Sequence, residues 1–212
     1  MRIVNSTSGR DRVWLRAAIA LLALGAFACS TPGNVGPASF ESKDASGFTI
    51  KQDVGVSSQV RSDFKRAMRL MEKEENEEAI ELLEEVVKAA PHVTSAHINL
   101  GIAYGRVEKF ALAVESLKLA VESNPRHPKA HDELGIAYRR TGQFDDARKS
   151  YEKALSVYPA YHFARRNLGI LCDIYLSDLG CAMKHYKLYS DSVPDDEAAA
   201  MWIADLRNRT GG

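Results

Sequence analysis

The chain has 212 residues, 45% of them hydrophobic, and its 28 basic and 28 acidic side chains cancel to a net charge of zero. That balance offers no broad electrostatic footprint for nucleic acid and gives no sign of a strongly charged partner surface. The stretch from Val60 to Arg209, about 150 residues, is long enough to bury one continuous core.

Arg2, Arg10, Arg12 and Arg16 precede an uncharged run from Ala17 to Ala28. Spanning a bilayer takes about 20 apolar residues, so this shorter run predicts an export signal over residues 1–28. It ends in Ala26-Phe27-Ala28-Cys29, which resembles the lipobox of bacterial lipoproteins. The resemblance implies that Cys29 is acylated and becomes the first residue of the mature chain. Ser30 after it, instead of aspartate, resembles lipoproteins sorted to the Gram-negative outer membrane. A second reading stands beside this one: Ala26-Phe27-Ala28 is itself a plain cleavage site, which would leave a soluble periplasmic protein with an ordinary thiol.

Residues 29–58 are rich in Gly, Pro, Ser, Thr and Asp, as in Thr31-Pro32-Gly33-Asn34. Such a composition predicts a flexible tether, with a reach of ~30 Å at roughly 5–6 Å × √n. Phe48, Ile50 and Val54 interrupt the polar run, which leaves open that part of it docks as an extended segment on the first folded unit.

From there the chain repeats itself every 34 residues. The segments that begin at Thr94, Pro128 and His162 each carry an apolar-Gly pair (Leu100-Gly101, Leu134-Gly135, Leu168-Gly169) and close near Pro125, Pro159 and Pro194. Such a period signals a solenoid of helix pairs, each burying its apolar face only against its neighbours. Small residues at Gly101, Gly135, Ala113 and Ala147 predict close helix crossings, and the prolines end the second helix of each unit. With Tyr104/Tyr138 and Phe110/Phe144 in register, the pattern closely resembles the tetratricopeptide repeat.

The fold expected is therefore all-α, a right-handed α-solenoid of four units over residues 60–93, 94–127, 128–161 and 162–195. In the first unit Ala67 and Ala79 take the small positions and Asn76 replaces the usual aromatic. In the fourth, Ala182, Tyr186 and Pro194 come one residue late, which places an insertion in the turn near Ser177 to Gly180. Residues 195–212 form a capping helix: Asp195-Asp196-Glu197 at its start, then Met201, Trp202, Ile203 and Leu206 on one face.

Cys172 and Cys181 lie on the two helices of the fourth unit. Either an exported protein bridges them across the hairpin, or they are two small buried hydrophobes. Their spacing has no metal-site signature. His97 and His131 recur one unit apart, about 10 Å in a stacked array, too far to share an ion at ~2.1 Å. Neither metal nor cofactor is expected, and no nucleophile, phosphate loop or carboxylate pair is placed for catalysis.

What remains is the face lined by the first helices. The ninth position of each unit reads Met68, Ile102, Ile136 and Ile170, with Phe64, Asn99, Arg106, Lys129, Asp132, Arg139, Arg140, Arg166, Asn167 and Asp173 around it. An apolar floor with a mainly basic rim suits a peptide or helix bearing hydrophobic anchors and carboxylates; the same residues would equally pack neighbouring first helices. The carboxylate clamp of chaperone-binding tetratricopeptide proteins is matched at Asn99 and Lys129 only, because Phe64, Met68 and Glu133 stand at its other positions.

The resemblance implies a non-enzymatic scaffold that binds envelope proteins, with no small-molecule substrate and a lipid anchor in the membrane. In plan it is similar to tetratricopeptide lipoproteins of pilus assembly. An accessory of an energy-transducing or outer-membrane complex, or a regulatory partner of a peptidoglycan enzyme, is the alternative.

Overall fold

The computed structural model describes residues 35–43 and 48–211, with the backbone alone for 35–43, 49 and 50. The predicted signal and Cys29 lie outside the described residues. No helix among those described is long and apolar enough to cross a membrane.

Four helix pairs follow one another: α1 (Ser58–Glu72) with α2 (Asn76–Ala89), α3 (Thr94–Arg106) with α4 (Phe110–Ser123), α5 (Pro128–Arg140) with α6 (Phe144–Val157), and α7 (His162–Ile170) with α8 (Leu179–Ser192). A last helix, α9 (Glu197–Thr210), closes the array. The helical part is thus the all-α solenoid expected. First helices of successive units approach one another more closely than second helices do, which makes them the inner wall.

The glycines explain the pairing. A Cβ at Gly101 would lie 2.5 Å from Leu117 Cγ, one at Gly135 2.5 Å from Tyr151 Cε1, and one at Gly169 2.6 Å from Tyr186 Cδ1. The partner side chain fills the space that each missing Cβ leaves, and Leu117, Tyr151 and Tyr186 are accordingly buried. Junctions between units repeat as well. His97 Nε2 meets the carbonyl of Pro91 at 2.9 Å, His131 Nε2 meets that of Pro125 at 2.9 Å, and the guanidinium of Arg165 donates to that of Pro159. The recurrent histidines thus satisfy the carbonyl of the proline that ends the preceding unit.

The fourth unit departs from the others upstream of where the sequence placed its insertion. In every unit a residue with positive φ stands two before the second helix: Glu74, Glu108, Gly142 and Ser177. The turn at Ser177 therefore keeps the common shape. The extra residue is absorbed at Leu171–Tyr175, a π-helical segment in which Leu176 N donates to Leu171 O at 3.1 Å. A π turn takes up one residue more than an α turn without breaking the helix. Cys172, on this segment, is bonded to Cys181 in the first turn of α8. Asp178 caps that helix by accepting from Cys181 N, and Arg148 of the third unit reaches its carboxylate at 3.2 Å.

A second departure lies at the N-terminal side. Residues 29–58 were expected as a flexible tether, with docking of Phe48, Ile50 and Val54 as an extended segment left open; β1 (Val35–Lys43) and β2 (Thr49–Ser57) pair as an antiparallel hairpin in the register Phe40 with Gln52, and the docked reading holds at Val54. The cause is the alternation Gln52, Val54, Val56 along β2, in step with Phe48 just before the strand, a period of two that the glycines and serines obscure. Val56 is buried against Val60, Val86, Val93 and Ala96, with Val54 beside them. Gln52 donates to His92 O at 2.8 Å and accepts from Thr94 N at 3.0 Å, at the junction of the first two units. Phe48 lies 5.1 Å from the ring of Tyr158 and 6.1 Å from that of His127, at the next junction. Four residues of strand advance about 13 Å, so the stretch from Gln52 back to Phe48 passes from one junction to the next.

At the other end, α9 is capped by Asp196, whose carboxylate accepts from Ala198 N at 3.0 Å. It buries Ala199 and Leu206, and Arg209 reaches back to Asp173 at 2.7 Å.

Candidate partner-binding groove

Met68, Ile102, Ile136 and Ile170 do form a line on successive first helices. Each is half-buried and touches the core beneath it while keeping an open side. Phe64 packs both against the core around Ala67 and Leu83 and against the cluster of Val56, Val60 and Val93. The polar residues around the line are tied to the fold more closely than their spacing suggested. Asn99 donates to Ser95 O at 2.7 Å, one turn back in its own helix. Asn167 donates to Asp132 Oδ1 at 2.9 Å, a buried rung between α5 and α7. Asp173 is buried too, paired with Arg209 and accepting from Tyr186 Oη at 3.3 Å.

Arg106, Arg139 and Arg140 sit where α3 and α5 end, and they brace neighbouring units. Arg106 Nη1 donates to Met71 O at 2.8 Å and to Asn76 Oδ1 at 3.2 Å. Arg139 Nη1 donates to Tyr175 Oη at 3.3 Å. Arg140 lies 4.5 Å over the ring of Phe110 and 3.7 Å from the carboxylate of Glu108. Arg166 stands 6.0 Å over Phe163, and Lys129 is half-buried close to the carboxyls of Asp132 and Glu133. Arg106, Arg139 and Arg140 thus cluster at the turn end of their units, while Lys129, at the start of α5, and Arg166, in the middle of α7, stand apart from them.

Between α3, α4 and α5 the inner wall opens into a cavity of about 290 Å³, whose lining includes Ile102, Gly105, Arg106, Phe110, Ile136 and Arg140. Gly105, Phe110 and Glu133 were not among the site residues expected from sequence. The signal was present, since glycine stands at Gly105 where the other units carry Met71, Arg139 and Asp173.

Burial pushes the Asp132 carboxyl up to about 7; the adjacent Glu133 adds to this, and Asn167, Arg166 and Lys129 oppose it. The folded chain therefore holds this proton more tightly than the unfolded chain. Its contribution to stability is complete below the ordinary carboxylate range and is lost as pH rises through about 7. Asp132→Asn keeps an oxygen for Asn167 and removes the buried charge. It is expected to stabilise the protein by on the order of 1–3 kcal/mol near pH 8, and to change little near pH 4. Melting curves at both pH values check this; an equal effect at each would contradict it.

Residues 64–128 and 128–161 match the Tetratricopeptide repeat family. Residues 64–161 carry tetratricopeptide repeats. Among solved structures, MamA from Desulfovibrio magneticus RS-1 is 18% identical, over 73% of this chain and 87% of its own, with a TM-score of 0.66. Pseudomonas aeruginosa pilF is 17% identical, over 72% of this chain and 69% of its own, with a TM-score of 0.65. Those two likenesses concern the fold alone. The first tetratricopeptide domain of Spaghetti (RPAP3), solved bound to the HSP90 peptide SRMEEVD, is 25% identical over 56% of this chain and 94% of its own, at a TM-score of 0.54. No curated protein matches the sequence. A tetratricopeptide array is a protein-interaction scaffold, and here its inner wall carries both the apolar line and the cavity.

Proposed function

We propose that the chain is a non-enzymatic scaffold, anchored through Cys29 in a Gram-negative outer membrane and facing the periplasm. It holds an envelope protein along its first helices and supports assembly or operation of a pilus- or secretion-type complex. The observation that carries the binding part is the half-exposed line Met68, Ile102, Ile136, Ile170 with the cavity opening beside it. The peptide bound to the RPAP3 repeat domain supports reading this scaffold as one that takes a segment of a partner protein. The envelope location rests on the sequence of residues 1–30, and the disulfide between Cys172 and Cys181 suits an oxidising compartment.

Affinity purification of the full-length protein from its own envelope fraction tests the reading. One defined envelope protein is expected to co-elute; Ile136→Asp should lose it, at a cost of about 1–3 kcal/mol in stability because Ile136 is half-buried against the core, with circular dichroism showing that the variant is still folded. Co-elution indifferent to Ile136 would contradict binding along this wall.

A further inference from the structure

We propose that the cavity over Gly105 is a receiving pocket for one leucine-sized apolar side chain of a partner segment whose flanking residues carry carboxylates. The proposal rests on the reading of the inner wall as the partner site and specifies what that wall selects.

The pocket owes its existence to one residue. At the position of Gly105 the neighbouring units carry Met71, which is buried, Arg139, which donates to Tyr175, and Asp173, which holds Arg209. A Cβ at Gly105 would meet nothing within 4 Å, whereas one at Gly101, a turn earlier on the same helix, would collide with Leu117. Gly101 is therefore required by packing and Gly105 is not. A glycine inside a helix costs about 0.5–1 kcal/mol relative to alanine, and at Gly105 no contact within the protein offsets that cost. What the glycine provides is space, about 290 Å³ of it. That is at the lower edge of ligand-sized pockets, which run ~300–1,000 Å³, and suits an anchoring side chain better than a whole small molecule.

The walls define what fits. Ile102, Phe110, Leu117 and Ile136 make an apolar interior. At the mouth, the hydrogen bonds of Arg106 go to neutral acceptors, a carbonyl and an asparagine oxygen, and Arg139 bonds a tyrosine hydroxyl. Arg140 shares Glu108 at 3.7 Å and remains exposed. The carboxyl of Glu133 is the opposing charge in the lining, and the charges of Lys129 and Arg106 beside it offset it. A carboxylate beside the anchor would give these guanidiniums charge-assisted hydrogen bonds in place of neutral ones. A lysine-flanked anchor would meet three like charges.

The test uses isotope-labelled protein and a defined probe, the peptide acetyl-Asp-Asp-Leu-Asp-Asp-amide, followed by NMR titration. Saturable shifts are expected at Gly105 and Ile136, with about tenfold or greater weakening when the leucine becomes alanine. The lysine-flanked analogue should produce no such shifts. Gly105→Met fills the pocket with the side chain found at the matching position of the first unit; it should abolish the shifts without lowering the melting temperature. As an independent variant, Arg140→Gln, at an exposed site, should weaken the aspartate peptide several-fold and leave the fold unchanged. Unaltered binding to Gly105→Met, or equal binding of the lysine-flanked peptide, would overturn the proposal. Shifts confined to the wall around Ile170 would overturn the pocket and leave the groove intact, while no shift on any first helix would count against both.

Discussion

Gly135→Leu is expected to lower the stability of the whole array by about 3 kcal/mol or more, and to leave much of the protein unfolded at physiological temperature. Overpacking a core costs typically 1–3 kcal/mol when neighbours can shift, and more when they cannot. Here even a Cβ would lie 2.5 Å from Tyr151 Cε1, and Tyr151 is fully buried with its hydroxyl next to Arg139. Its ring has Ala147 and Leu168 packed around it and no open side into which to rotate. Because each unit is stable only against its neighbours, damage at the third should be felt along the array. Gly105→Ala is the matched control: the space there is open, and replacing a helical glycine should leave the melt unchanged or raise it. Thermal unfolding followed by circular dichroism checks both. A native melt for Gly135→Leu would mean that α5 and α6 do not cross where the repeat register puts them.

Cys29→Ser is expected to move essentially all of the mature protein from the membrane fraction to the soluble periplasm. Hydrophobic area decides the outcome: an acyl chain contributes about 0.8 kcal/mol per buried CH₂, and stable anchoring takes more than one chain. Without the thiol no chain is attached, and among the described residues no helix is long and apolar enough to replace the anchor. Cell fractionation with mass spectrometry of the N-terminal peptide reads the result. A native protein that is soluble, with Cys29 unmodified, would contradict the lipid anchor and favour plain cleavage after Ala28.

The second and third units were legible because several constraints fall on the same residues. Gly101 and Gly135, Ala113 and Ala147, Pro125 and Pro159 each answer a separate steric demand, and together they fix the register. The hairpin was harder to read. Its alternating residues Phe48, Gln52, Val54 and Val56 include a glutamine, and that glutamine is the side chain that bonds the backbone at the first junction. A composition average counts it as linker. The extra residue of the fourth unit was visible as a one-residue lag, but lag does not say where the residue goes. Turns are the usual place for insertions, whereas here the left-handed Ser177 preserves the turn and the helix takes up the residue at Leu171–Tyr175.

The functional wall shows the same limit. The line of Ile102 and Ile136 followed from spacing, but spacing cannot tell a free arginine from one that braces a neighbouring carbonyl, as Arg106 does. Gly105 carried its information by omission, a side chain missing where three other units have one.

The central claim is that a partner lies along the first helices. A photocrosslinking residue at Ile136, half-buried on α5 beside the cavity, tests it most directly, with the same probe at Lys149, exposed on α6, as the comparison. Ile136 should capture one specific envelope protein, and Lys149 should not. Charge reversal at Arg140 should weaken capture more at low salt than at high salt, because exposed charges are screened over about 8–10 Å at physiological ionic strength. Equal capture from both helices, or capture from Lys149 alone, would contradict the account and place the partner on the outer face.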